Sequence, residues 1–346
     1  MCGIQVKAFI LQKDGSLASC QDRIAINTLR GRFVVADGVT NSYRPEIVAQ
    51  TLCQQFVNAD IPVEEWDAGF ESVLKDEIID NYTKSIDAIE ARLTGRRLQH
   101  AVVKRNNLPA GASTMAAVEF DRKKNQLNYV ILGDSTLFVI DLNNKMSSYC
   151  SNIDVSEDGS VQYSDQTMCV SANGTVVGQW LIGRKDIAKG YIALMTDGCA
   201  KWFQQAFIED ANVIERLWNL QDEEFALFAA DCRSKGVMDD DLSVILMKID
   251  GKLDDGIELL SCPQTALVTV VPDSAINDFV NEPSAEEPSA EEPSAEEPSD
   301  EEPSVEEPSV EEPSDEESSV EECGYSPWAI FVQRLKCVIR KYLSVS

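Results

Sequence analysis

Several apolar runs in this chain stop or start at an aspartate. Phe33-Val34-Val35-Ala36 ends in Asp37-Gly38, and Ile192-Ala193-Leu194-Met195 ends in Thr196-Asp197-Gly198. Val130-Ile131-Leu132 runs into Gly133-Asp134, and Asp239-Asp240-Asp241 leads into Leu242-Ser243-Val244-Ile245. Short apolar runs bounded by turn formers predict strands buried on both faces. Val6–Leu11 predicts another strand, and Cys20–Ile26 a polar turn entering one more. Gly111–Phe120 and Leu127–Ser135, joined by the charged turn Asp121–Asn125, predict a hairpin.

Elsewhere the period lengthens to that of a helix. Pro45 suits a first helical turn, and Glu46 behind it meets the positive end of the helix dipole. Ile47, Val48, Leu52 and Phe56 then share a face. A longer helix is predicted from about Val63 to Leu93. Its core stripe includes Trp66, Phe70, Val73, Leu74, Ile78 and Ile86. Ile214–Cys232 also reads as helical.

Charge divides the chain. The net charge of −29 is spread unevenly: residues 282–322 hold 19 acidic and no basic residues. Residues 1–281 hold 40 acidic against 26 basic, a net of −14, and residues 323–346 carry +4. An acidic body argues against nucleic acid as a partner, because phosphate contacts need clustered Lys and Arg. From Glu282 the sequence repeats Glu-Pro-Ser-x-Glu, a composition that cannot build a core and reads as a disordered spacer. Beyond it, Trp328, Phe331, Leu335 and Ile339 with Arg334, Lys336, Arg340 and Lys341 predict a basic amphipathic helix. Residues 324–346 would suit an anionic membrane surface or a protein partner. The expected organisation is a domain over 1–250, a connecting segment over 251–280, the linker over 281–322 and the helix over 323–346. Ten cysteines without C-x-x-C pairs indicate neither zinc site nor disulfide framework. The expected location is cytoplasmic, with peripheral membrane attachment through the C-terminal helix as an alternative.

The aspartates carry the candidate chemistry. One Asp-Gly after a strand is an ordinary turn. Asp37, Asp134, Asp197 and Asp240, all at strand ends, point to an acidic cluster. Like charges held together need a cation, and oxygen-only donors suit a hard ion, Mg²⁺ or Mn²⁺. The single histidine, His100, lies in a polar stretch and reads as a surface residue.

In this order the motifs resemble the PP2C-type (PPM) metal-dependent serine/threonine protein phosphatases. The resemblance rests on Gln21-Asp22, Ala36-Asp37-Gly38 and Gly111-Ala112-Ser113-Thr114. It continues through Gly133-Asp134-Ser135, Thr196-Asp197-Gly198 and Asp240-Asp241-Leu242-Ser243, and spans about residues 1–250. It implies an α+β fold, a β-sandwich of two antiparallel sheets flanked by helices, with two Mg²⁺ or Mn²⁺ ions at one end. By that resemblance Asp37 bridges the ions, Gly38 offers its carbonyl, and Asp197 and Asp240 complete the first ion's ligands. Asp22 and Thr114 hold metal-bound waters, Asp134 matches a weaker third site, and an activated water attacks a phosphoserine or phosphothreonine of a phosphoprotein.

The chain also departs from the family pattern. Leu17 stands where many members place a phosphate-gripping arginine. Val39-Thr40-Asn41 replaces the residues that usually follow Asp-Gly, so the histidine some members use as a general acid is missing. Lys201 stands where a second acid is often found, which argues against a normal third-metal site. A catalytically weak or inactive PP2C-like pseudophosphatase, serving as a binding or regulatory module, is therefore the alternative.

Overall fold

Two six-stranded sheets face each other in the computed structural model. The first has the order β16 (Ile257–Ser261), β1 (Ile4–Leu11), β15 (Leu242–Ile249), β14 (Gly190–Met195), β7 (Thr136–Asp141), β8 (Met146–Tyr149). The second has the order β13 (Leu181–Asp186), β6 (Gln126–Leu132), β5 (Met115–Asp121), β3 (Arg32–Ala36), β2 (Arg23–Asn27), β17 (Leu267–Thr269). A small sheet joins β4 (Ala112–Ser113), β11 (Cys169–Ser171) and β12 (Val176–Val177), and β9 (Ile153–Val155) pairs with β10 (Val161–Tyr163). The structure describes residues 3–13, 20–155, 161–163, 167–187, 189–234, 240–251, 256–262 and 267–269. Leu17, the Glu-Pro-Ser segment and the predicted C-terminal helix lie outside the described residues.

The unbroken apolar runs follow from burial on both faces. Phe33 and Val35 of β3 meet Val6, Ile192, Leu194 and Ile245 in the core between the sheets. Val34 and Ala36, pointing the other way, pack under Val48, Leu52 and Phe56 of α1 (Pro45–Asn58). Every residue of β3 is buried, so no polar alternation survives in its sequence. The first sheet is likewise covered on its outer side by α5 (Asp197–Glu209), α6 (Val213–Asn219) and α7 (Asp222–Ser234). Phe138 meets Phe203 edge-on at 5.0 Å, and Phe9 stacks on Phe225 at 4.8 Å. The result is the expected helix-flanked β-sandwich.

The structure differs from the sequence reading in several places. The sheets are not wholly antiparallel, since β16 on β1 and β17 on β2 run parallel at the edges. Those two strands fall within 251–280, so that stretch is not a simple connector, and the compact unit extends to Val270. The helix over 63–93 is segmented: Val63–Glu65, α2 (Trp66–Gly69), a π turn over Phe70–Leu74, then α3 (Lys75–Ala91). Trp66, Phe70, Leu74 and Ile78 are all buried, whereas Val73 is 55% exposed. A strict four-residue spacing drifts by about 40° per step on an α-helix, and a wider turn cancels part of that drift. Finally, α4 (Gly95–Asn107) was not anticipated, and Ile214–Cys232 is two helices, α6 and α7, rather than one. Only Ala101 of α4 is buried, which leaves little apolar period to read. Among the described residues no helix is long and apolar enough to cross a membrane.

Candidate metal centre

Strand register brings the aspartates together. Arg23 pairs with Ala36 across β2 and β3, so Asp22, just before one strand, and Asp37, just after the other, emerge side by side. In the facing sheet Met195 pairs with both Val244 and Thr136. Asp197, Asp240 and Asp134 therefore leave the ends of three adjacent strands at that same end of the sandwich.

Polar bonds stitch this end across the two sheets. The Thr196 hydroxyl donates to Asp22 Oδ2 at 2.8 Å and accepts from the Ser243 amide at 3.0 Å. Thr114 Oγ1 and Ser135 Oγ lie 2.8 Å apart. The Thr114 amide and the Ser113 hydroxyl both donate to the Asp37 carbonyl at 2.8 Å, which fixes the backbone of Asp37. Asp22 and Thr114 are buried, and Asp37 is half-buried. Gly38 is required by close approach: a Cβ there would come within 2.8 Å of Pro45 Cβ and 3.0 Å of the Gln21 carbonyl oxygen.

Asp197 opens α5, where the helix dipole favours a carboxylate. One turn later Lys201 donates to Asp197 Oδ2 at 2.9 Å. Asp240 Oδ1 accepts the Asp241 amide at 2.9 Å, and Lys13 Nζ lies 3.6 Å away. Asp241 itself is buried and accepts the Lys13 and Gln21 amides at 2.9 and 2.7 Å. It belongs to the frame of the site, tying the segment before Asp22 to β15.

The electrostatics record the crowding. Burial, then the charges of Asp22, Asp197 and Asp134, push Asp37 well above the usual carboxylate range. Burial and Asp241 raise Asp22 to about 7, and burial and Asp197 raise Asp134 to about 6. Asp240 is raised by burial, with Asp197 adding to the effect. A cation would relieve all four.

Among the described residues no three His, Cys, Asp or Glu side chains are already gathered tightly enough to enclose an ion. The donor chemistry nevertheless fits a hard divalent ion. The converging aspartates offer carboxylate oxygens, and Asp134 Oδ1 is buried without a hydrogen-bond partner. All seven residues expected from the sequence (Asp22, Asp37, Gly38, Thr114, Asp134, Asp197 and Asp240) meet at this end. His100 is exposed on α4, as expected. The sequence reading missed the supporting roles of Thr196 and Asp241. Their signal was adjacency, since each sits next to a predicted ligand at a strand end.

The sequence itself matches a known family. The model for "Protein phosphatase 2C" matches residues 14–243, and the chain belongs to the PP2C family of protein phosphatases. Among solved structures, the catalytic domain of the serine/threonine protein phosphatase PstP in complex with two manganese ions is 15% identical. It covers 71% of this chain and 99% of its own, with a TM-score of 0.45. The Mycobacterium tuberculosis phosphatase PstP/Ppp is 14% identical, covering 71% and 99% at a TM-score of 0.46. The Staphylococcus aureus phosphatase Stp1 is 16% identical, covering 72% and 96% at 0.43. A comparison with curated protein sequences finds no match.

Proposed function

We propose that this chain is a divalent-metal-dependent phosphatase that hydrolyses phosphoserine or phosphothreonine in a phosphoprotein. The observation that carries the reading is the convergence of Asp22, Asp37, Asp134, Asp197 and Asp240 at one end of the sandwich, where burial and neighbouring carboxylates raise the carboxyls of Asp22, Asp37, Asp134 and Asp240. Asp37, Asp197, Asp240 and the Gly38 carbonyl are the residues that would hold Mg²⁺ or Mn²⁺, with Asp134 at the margin. Two such ions, when bound, supply charge neutralisation for the phosphate and a water of lowered pKa. The chain's own part is positional. Thr114 and Ser113 fix the Asp37 backbone, and Thr196 orients Asp22 by its hydroxyl. Asp22 is thereby set beside Asp37, able to accept a hydrogen bond from a polar ligand.

A second reading, binding a phosphoprotein without turnover, is favoured by one observation: Lys201 sits on Asp197, a carboxylate the metal would need. The test is hydrolysis of a phosphothreonine peptide by the full chain with Mn²⁺, with chelator, and with Asp197→Asn. Turnover that needs the metal and is lost in the variant supports the enzyme. Absent turnover alongside Mn²⁺ binding measured by calorimetry would replace it with the binding module.

A further inference from the structure

Among the described residues two ammonium groups reach this centre, Lys13 at 3.6 Å from Asp240 and Lys201 on Asp197, and the Lys201 contact is the shorter. The Lys201 ammonium donates to Asp197 Oδ2 at 2.9 Å from one helical turn away. The pair is fixed by α5 itself, because residues four apart share a helix face. Asp197 is 6% exposed, so this carboxylate has little water to stabilise it. Lys201 also lowers the pKa of Asp134, whose Oδ1 has no hydrogen-bond partner. The lysine thus acts on the two carboxylates at the α5 side of the cluster, while Asp22 is held by Thr196 and Asp37 by Thr114 and Ser113 through its backbone.

We infer that Lys201 is a built-in counter-ion that competes with the divalent metal for Asp197, and that it sets the metal affinity of this centre. The inference rests on the metal-dependent reading above and adds a regulating residue to it. In the metal-free chain the ammonium neutralises part of an acidic cluster that would otherwise repel itself. When a metal binds, Asp197 must give up that partner, and a positive charge stays close to the incoming cation. Both effects weaken metal binding. They also give Lys201 opposite effects on stability, positive without metal and negative with it. A lysine that merely packs against the helix would have one sign in both states.

The test uses the full chain and three forms: wild type, Lys201→Met and Lys201→Arg. Mn²⁺ affinity is measured by calorimetry, and thermal unfolding is followed with chelator and with saturating Mn²⁺. Lys201→Met is expected to tighten Mn²⁺ binding about tenfold or more, because a unit charge a few ångströms from a divalent ion acts strongly even at an effective dielectric of about 20. The same variant should unfold about 2 °C lower than wild type in chelator, a modest shift because the pair is partly exposed. With saturating Mn²⁺ it should unfold higher than wild type. Lys201→Arg keeps the charge and should keep wild-type affinity within about threefold. Equal Mn²⁺ affinity in wild type and Lys201→Met would overturn the inference while leaving the metal-dependent reading in place. So would a loss of stability of the same sign in both conditions. Failure of the wild type to bind Mn²⁺ at all would overturn both. Should Lys201→Met fail to fold even with Mn²⁺ present, the lysine is structural and the inference falls as well.

Discussion

Asp241 lies next to a predicted metal ligand, yet both of its oxygens are spent on backbone. Oδ1 accepts the Lys13 amide at 2.9 Å and Oδ2 the Gln21 amide at 2.7 Å, in a residue only 3% exposed. Asp241→Ala removes both acceptors and strands two amide groups that are partly shielded from water. Each lost charge-assisted bond costs about 1–3 kcal/mol, so the expected loss is about 3 kcal/mol. For a domain of this size that lowers the unfolding temperature by roughly 6–12 °C. Asp241→Asn keeps one acceptor but turns an amide NH₂ toward the other N–H, so about half the loss is expected. Urea unfolding of wild type and both variants in chelator measures this directly. Calorimetric titration with Mn²⁺ then separates the frame from the site, because Asp241 holds the segment before Asp22 rather than the ion. The number of ions bound should not change. Asp241→Ala with a stability within about 0.5 kcal/mol of wild type would refute the structural argument. A variant that keeps its stability but loses one bound ion would show Asp241 to be a ligand.

Two further outcomes follow from the same geometry. The raised carboxyls mean that the folded, metal-free chain binds more protons than the unfolded chain between about pH 4 and pH 7, so its stability falls as pH rises through that window. The unfolding temperature in chelator should be lower at pH 8 than at pH 5.5, and added Mn²⁺ should raise it more at pH 8; a metal-free stability that is flat or rising with pH would contradict the repulsion. Gly38→Ala pushes a methyl group within 2.8 Å of Pro45 Cβ; it should cost about 1–3 kcal/mol in urea unfolding and weaken the Mn²⁺ response, and an unchanged stability would show that the turn can yield.

Much of this arrangement was legible because burial on two faces erases alternation. β3, β14 and β15 read as continuous apolar runs, and their abrupt polar ends then stand out. The aspartates were conspicuous for that reason, not because Asp-Gly is rare. The edge strands carry no such contrast. β16 alternates half-buried and exposed positions, and Leu260 is 44% exposed, so Ile257–Ser261 looks like connecting chain. The segmented helix was hidden for a different reason. Its buried residues recur every four positions, which a sequence reader counts as α-helical, and the π turn that makes the spacing work leaves no mark of its own. Asp241 does not stand out in the sequence, because nothing in Asp239-Asp240-Asp241 says which acid faces an amide and which faces the cluster. Only the register of β15 settles that.

The same register explains how an acidic cluster can exist before any ion arrives. Asp22 and Asp37 come from one sheet and Asp134, Asp197 and Asp240 from the other, so the repulsion among them acts to pry the two sheets apart at that end. It is opposed by bonds that cross the seam: Thr196 to Asp22, Thr114 to Ser135, and Asp241 to Gln21. All three are short; the two to carboxylates contribute about 1.5–3 kcal/mol each and the hydroxyl pair Thr114–Ser135 about 0.5–1.5 kcal/mol. Lys201 adds a cation on the Asp197 side. The apolar core between the sheets supplies the remaining cohesion. On the metal-dependent reading, the raised proton affinity of Asp22, Asp37, Asp134 and Asp240 persists until a metal displaces the proton. Metal binding should therefore release protons near neutral pH, a quantity that titration in buffers of different ionisation enthalpy reads directly.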